Sequence, residues 1–293
     1  MSWKTRLRDW KRDSKTTAAT NGDPVTVAVR RGAFLHSETL PHFVCTLILA
    51  WQVFEDAPVV VAANRDERLD RPAEPPQHWT DGEGPEIVAP RDADAGGTWV
   101  GYNDAGVFVG ITNRWVEVDG GGEQSRGHLV RDALRHETAE DAARFVEHAV
   151  ADRTYDGFNL VVADENAALF FEWDGGLSVR NFEPGVHVVV NVGTPDSWFV
   201  PPERPEVGER QADNARRLWE TLQPEASEPL AAWRDRARDA LGDHDFGVCV
   251  HDSEGRFGTR SSSIITLGAD EFTYEFADGP PCQTAFEPVE RQD

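Results

Sequence analysis

Cys45-Thr-Leu-Ile-Leu-Ala-Trp51 and Val59-Val-Val-Ala-Ala63, followed by Asn64-Arg65-Asp66-Glu67, decide how this chain is read. The first run is apolar, rich in strand formers and of strand length. Ala57-Pro58 breaks it, and the second run returns as the other strand of a hairpin. The four polar residues from Asn64 to Glu67 end that second strand. Downstream, the Pro-rich stretch Arg71 to Pro76 reads as a loop. Thr98–Asn113 reads as a further antiparallel pair turning at 102–106. Ser125 is placed to cap a helix through about His136, with Leu129, Val130, Ala133 and Leu134 on one face. Thr138 opens a second helix to Val150. Strands follow at Phe158–Ala163, Ala168–Trp173, Leu177–Val179 and Val186–Val190. Two acidic helices come next, near Glu209–Thr221 and Pro229–Leu241. Phe246–His251, Ser263–Leu267 and Phe272–Phe276 close the chain as strands. Tight hairpins with helices arriving in pairs predict an α+β fold. Two stacked antiparallel sheets, each covered by a helix pair, make a four-layer αββα sandwich.

The chain has 293 residues, a net charge of −23 and ten tryptophans, so it is globular and large enough to bury a sizeable core. A field this negative repels phosphate backbones and anionic lipid surfaces, which excludes a nucleic-acid or membrane-surface role. Its longest apolar run, Phe43 to Trp51, is far short of the roughly 20 residues that span a bilayer, so no membrane insertion is expected. Three cysteines, Cys45, Cys249 and Cys282, are too few for a disulfide scaffold and suit a reducing cytoplasm.

Charge divides the chain. Residues 1–44 hold eight basic and four acidic side chains, whereas the rest hold 21 and 48, and no lysine follows Lys15. Arginine-only basicity under a large acidic excess reads as halophilic adaptation, with carboxylates holding water and cations while salt screens their repulsion. Residues 1–44 lack that chemistry. They are read either as a disordered basic leader or as the product of a start site assigned too far upstream, with Val44 as the true start. Residues 45–280 are then the folded domain and 281–293 an acidic C-terminal tail.

Polar residues collect at strand ends: Cys45, Asn64 to Glu67, Asn113, Asn159, Asn191 and Arg260. Each has an ordinary structural reading. A cysteine in an apolar strand is commonly a buried small hydrophobe, and asparagines at strand ends cap turns. The nine histidines show neither an HExxH run nor paired-cysteine spacing, so no metal is expected. A mature chain starting at Cys45 changes this reading. One residue then carries both a thiol and an α-amine, and the amine, with a pKa near ~8, can take the thiol proton. A nearby arginine would favour the thiolate, an aspartate would orient the ammonium, and asparagine amides would serve an oxyanion.

These residues resemble the NRDE family, which takes its name from the Asn-Arg-Asp-Glu tetrapeptide and includes the eukaryotic transport and Golgi organisation proteins. The resemblance rests on Cys45-Thr-Leu-Ile-Leu, Ala62-Ala63-Asn64-Arg65-Asp66-Glu67, Arg71-Pro72 and Gly96-Gly97-Thr98-Trp99-Val100-Gly101. Thr112-Asn113, Gly157-Phe158-Asn159-Leu160 and Gly258-Thr259-Arg260-Ser261 extend it. That family is in turn similar to Ntn hydrolases of the choloylglycine hydrolase and penicillin V acylase type. The resemblance implies Cys45 as nucleophile, oriented by Arg65 and Asp66, with Asn113 and Asn191 serving the oxyanion and Arg260 completing the site. Asn64, Glu67 and Trp99 would line the binding region, while Asn159 is structural. The implied activity is hydrolysis of a small-molecule amide or acyl bond with no cofactor. The alternative is a non-catalytic carrier of haem or acyl-lipid metabolites, and the plainest reading is a fold whose strand-end residues are structural.

Overall fold

Why the opening hairpin reads as continuous apolar sequence follows from where it sits. The computed structural model describes residues 44–80, 84–252, 254–269 and 271–290. The expected leader lies outside them, apart from Val44. The hairpin is β1 (Thr46–Phe54) and β2 (Ala57–Arg68). Leu47, Leu49, Val59 and Val61 face one apolar core, while Ile48, Ala50, Val60 and Ala62 face another. A strand buried on both faces cannot alternate apolar with polar residues.

Further along come β3 (Ala73–Trp79), β4 (Ile87–Asp92), β5 (Val100–Asn103) and β6 (Phe108–Asn113). The first helix pair is α1 (Arg126–Ala133) and α2 (Ala139–Asp152). Four strands follow, β7 (Phe158–Ala163), β8 (Ala168–Trp173), β9 (Leu177–Asn181) and β10 (Gly185–Val190). Two short ones, β11 (Gly193–Thr194) and β12 (Ser197–Trp198), precede α3 (Pro205–Thr221) and α4 (Leu230–Gly242). The chain ends on β13 (Phe257–Leu267), β14 (Phe272–Ala277) and β15 (Glu287–Pro288).

Two antiparallel sheets result, one ordered β12-β11-β10-β1-β2-β13-β14-β15 and the other β3-β4-β5-β6-β7-β8-β9. One core fills the space between the sheets. A second packs α3 and α4 on the first sheet, around the fully buried Trp233, whose Nε1 donates to the Leu222 carbonyl at 2.9 Å. A third packs α1 and α2 on the other sheet. This is the αββα order that the element sequence predicts.

Several local expectations change. Asn64 to Glu67 do not end β2, because β13 continues to pair with it, aligning Gly258 with Glu67 and Phe257 with Arg68. The Pro-rich stretch is not a loop but β3, at the sheet edge. Pro75 and Pro76 fall where its register with β4 shifts, a place that needs no ladder N–H. Residues 246–251 are not a strand. His244–Phe246 form a 3-10 turn closed by Gly247 in the left-handed region, and only an isolated bridge joins His251 to Gly258. Ser125 does precede α1, but its side chain makes no capping bond; Thr138 caps α2, accepting from the Asp141 N–H at 3.1 Å. The segment expected as a tail returns to the first sheet, where β15 pairs with β14.

Candidate functional site

Cys45 stands immediately before β1, at the end of the sheet where β2 carries Arg65 and Asp66. It opens onto a cavity of about 440 Å3 that Arg65, Glu67, Trp99, Asn113 and Arg126 also line. The Cys45 thiol donates to the backbone carbonyl of Asp66 at 3.6 Å. Burial, with the Asp66 carboxyl beside it, pushes the thiol up to about 12, against a smaller opposing pull from Arg65.

Asp66 is buried, and its two carboxyl oxygens are both used. One accepts from the Thr259 hydroxyl at 2.7 Å and the other from the Val44 backbone N–H at 3.2 Å. Burial still outweighs these two bonds and pushes the carboxyl up to about 8.

Arg65 turns to the opposite face of β2. Its guanidinium lies 4.1 Å over the Trp99 ring and pairs with Glu67 at 3.4 Å and Asp92 at 3.7 Å. Arg71 joins the same two carboxylates, donating to Asp92 at 2.7 Å. Asp92 in turn accepts from the backbone N–H groups of Asp94 and Ala95. Two guanidiniums and two carboxylates therefore hold one another fixed at the rim of the cavity.

Opposite them, Gly97 lies against Gly127 so closely that a Cβ on Gly97 would overlap its backbone. That contact, with a bond from the Thr98 N–H to the Gly127 carbonyl at 3.0 Å, seats the first turn of α1 on the cavity wall. Asn113 ends β6 there. It lines the cavity, and its side-chain amide has no hydrogen-bond partner among the described residues.

Cys45, Arg65, Asp66, Asn113, Glu67 and Trp99 thus meet in one place. Three other expected residues do not act there through their side chains. Asn191 is fully buried: its amide donates to the Asn113 carbonyl at 2.7 Å and its oxygen accepts from Gln211 at 2.8 Å. It is not among the residues that line the cavity, and through the bond to the Asn113 carbonyl it fixes Asn113 instead. Arg260 sits at the β13 register shift and pairs with Asp278, away from the cavity. Asn64 donates to the Leu241 and Val248 carbonyls and accepts from Ser262, which commits it to joining β2 to α4 and β13. Asn159 is bonded to Arg114, Thr112 and the Val190 carbonyl.

Nothing in the sequence marks Asp92 or Arg126 for this cavity, and only the Arg71-Pro72 motif points to Arg71. The expectation of no metal rests on linear spacing, which does not see one cluster of ligand-type side chains. The fold gathers His244, Cys249, His251 and Cys282 so that one ligand atom from each lies within 4.8 Å of the others. Linear spacing hid this group, because Cys282 arrives from a distant segment.

A family model described as Transport and Golgi organisation 2 matches residues 44–278. The chain belongs to that family. Its similarity to the Transport and Golgi organization protein 2 homolog of Bos taurus is 27% identity over 235 residues, covering 72% of this chain and 83% of the bovine one. Among solved structures, a variant of conjugated bile acid hydrolase from Clostridium perfringens matches with a TM-score of 0.51 at 11% identity, over 83% of this chain and 92% of that one. The Caenorhabditis elegans ortholog of N-acylethanolamine-hydrolyzing acid amidase matches with a TM-score of 0.50 at 13% identity, over 78% and 97%. These likenesses establish that this Transport and Golgi organisation 2 member has the Ntn-hydrolase fold. No helix among the described residues is long and apolar enough to cross a membrane.

Proposed function

We propose that the protein is an N-terminal-cysteine hydrolase that cleaves a non-peptide C–N amide, or a related acyl bond, with Cys45 as nucleophile. The observation that carries this reading is the convergence of the Cys45 thiol, the buried Asp66 carboxyl and the unpaired Asn113 amide on one polar cavity. While Val44 is attached, the Cys45 nitrogen is an amide and cannot act as a base. The thiol, held up at about 12, then stays protonated. This is a resting form.

Breaking the Val44–Cys45 bond exposes an α-amine with an ordinary pKa near ~8. It lies one residue along the chain from the Val44 N–H that donates to Asp66. The amine takes the thiol proton, and sulfur attacks the substrate carbonyl while the Asn113 amide donates to the developing oxyanion. Collapse breaks the C–N bond, and the α-ammonium returns the proton to the departing amine. Water, deprotonated by the same amine, then hydrolyses the thioester and restores the thiol. Arg65, rigid on Trp99, keeps positive potential beside the sulfur.

The test compares the full chain with a chain beginning at Cys45, in concentrated salt, on a panel that includes conjugated bile acids and N-acylethanolamines. The activities named for the two structural relatives guide that choice. Amine release from the shortened chain, lost in Cys45→Ala and absent in the full chain, supports the reading. Turnover unaffected by Cys45→Ala refutes it. No turnover, together with a Soret band on adding haem that Cys45→Ala abolishes, replaces it with the carrier reading.

A further inference from the structure

On the far side of β2 from Arg65, the loop after α4 and the segment after β14 bring two thiols and two imidazoles together without any motif to announce them. His244 comes from the 3-10 turn, Cys249 and His251 from the residues just after it, and Cys282 from 31 positions further on. The Cys249 sulfur lies 3.6 Å from His251 Nε2, and the same nitrogen lies 3.1 Å from the Cys282 sulfur. The His244 and His251 rings meet edge to face at 5.2 Å.

We propose that His244, Cys249, His251 and Cys282 form a tetrahedral zinc site. Bonds of ~2.3 Å to sulfur and ~2.0–2.1 Å to nitrogen put the ligand atoms of a tetrahedral zinc about 3.3–3.8 Å apart. The four atoms here already lie within 4.8 Å of one another, so closing on an ion needs only side-chain adjustment. Two thiols and two imidazoles select zinc over magnesium and calcium, which take oxygen ligands. Cys249 is buried, while His244, His251 and Cys282 are exposed, so an ion has a route in. The net charge of −23 concentrates divalent cations around the protein.

The site is structural, since four protein ligands leave no open position for substrate. It ties the segment after β14 to the loop after α4. That loop supports the cavity from behind. The Val248 carbonyl accepts from Asn64, and the Val250 N–H donates to the Thr259 hydroxyl that in turn donates to Asp66. An ion at the four ligands would therefore stiffen the backbone that positions Asp66. It does not depend on the hydrolase reading.

The experiment uses the full chain, purified under reducing conditions with zinc supplied and then desalted. About one zinc per chain by elemental analysis is expected. Cobalt replacement should give sulfur-to-cobalt charge transfer and the visible bands of a tetrahedral ion. Cys282→Ser and His251→Asn should each weaken zinc binding more than the ~10–100-fold typical of losing an outer partner of a ligand. The cobalt spectrum is read on the unaltered chain, so a variant that fails to fold leaves that result standing. The proposal is overturned by metal-free protein under these conditions, by an octahedral cobalt spectrum, or by zinc affinity that Cys282→Ser leaves unchanged. A Cys249–Cys282 disulfide in the reduced preparation, seen as a mass loss of two hydrogens, also overturns it.

Discussion

Asp66 offers a direct reading of the state of the chain at Cys45. Its carboxyl is pushed from an ordinary 3.8 up to about 8, by burial. The folded protein therefore binds a proton on Asp66 that the unfolded chain has released. This contribution to stability is complete below about pH 4, declines as pH rises, and is gone once pH passes about 8. Between pH 6 and 7.5 the loss amounts to about 2 kcal/mol by proton linkage. In a domain of this size that is about 4–8 °C in Tm. Asp66→Asn keeps a carbonyl oxygen to accept from the Thr259 hydroxyl but has no proton to release in this range. His136 and His187, pulled below the ordinary imidazole value by burial, contribute the opposite slope, lost as pH falls through their folded values. They are present in both proteins and cancel in the difference. The assay is thermal unfolding of the full chain and of Asp66→Asn across pH 6–8 at constant salt. The difference between them should change by about 2 kcal/mol, with the unaltered chain losing ground as pH rises. Parallel curves, or an unaltered chain that gains stability with pH relative to Asp66→Asn, would refute a neutral buried Asp66. In a chain beginning at Cys45 the new ammonium favours the carboxylate, so the same slope should shrink or reverse.

The full chain's Cys45 should react with iodoacetamide at pH 7.5 roughly a thousandfold more slowly than an ordinary thiol, because so little of it is thiolate. Peptide mapping of the alkylated protein reads this, and rapid labelling of Cys45 would count against it. Trp233→Ala should cost about 3–5 kcal/mol in urea unfolding, since it empties the centre of the core under α3 and α4 and leaves the Leu222 carbonyl without its donor. Arg65→Lys should lose the stack on Trp99 and the shared grip on Glu67 and Asp92, costing about 0.5–2 kcal/mol and altering Trp99 fluorescence. An unchanged spectrum would mean the stack is absent in solution.

Much of this architecture is legible in β1 and β2, because two cores press on the same hairpin and leave no polar face to blur it. The helix pairs are legible for a related reason: each has one apolar stripe and a cap or a proline near its start. β3 was not, because two prolines argue against a strand unless its edge position and register shift are known. At the site, nearness in sequence placed Arg65 beside Asp66, but only the pleat shows that one faces Trp99 and the other Thr259. Asn113 and Asn191 look alike on paper. Burial and the bond between them assign one a free amide and the other a supporting role. The four metal-type ligands could not be read from spacing, since the turn at His244 and the return of the chain through Cys282 are products of the tertiary fold.

The nucleophile itself is tested most directly by intact-mass and peptide analysis of a chain beginning at Cys45, quenched with acid seconds after mixing with an amide that it turns over. An acyl group carried on Cys45, absent from the full chain and from Cys45→Ala, is the expected result. Hydrolysis that continues with no adduct on Cys45, or with the acyl group on another residue, would contradict it.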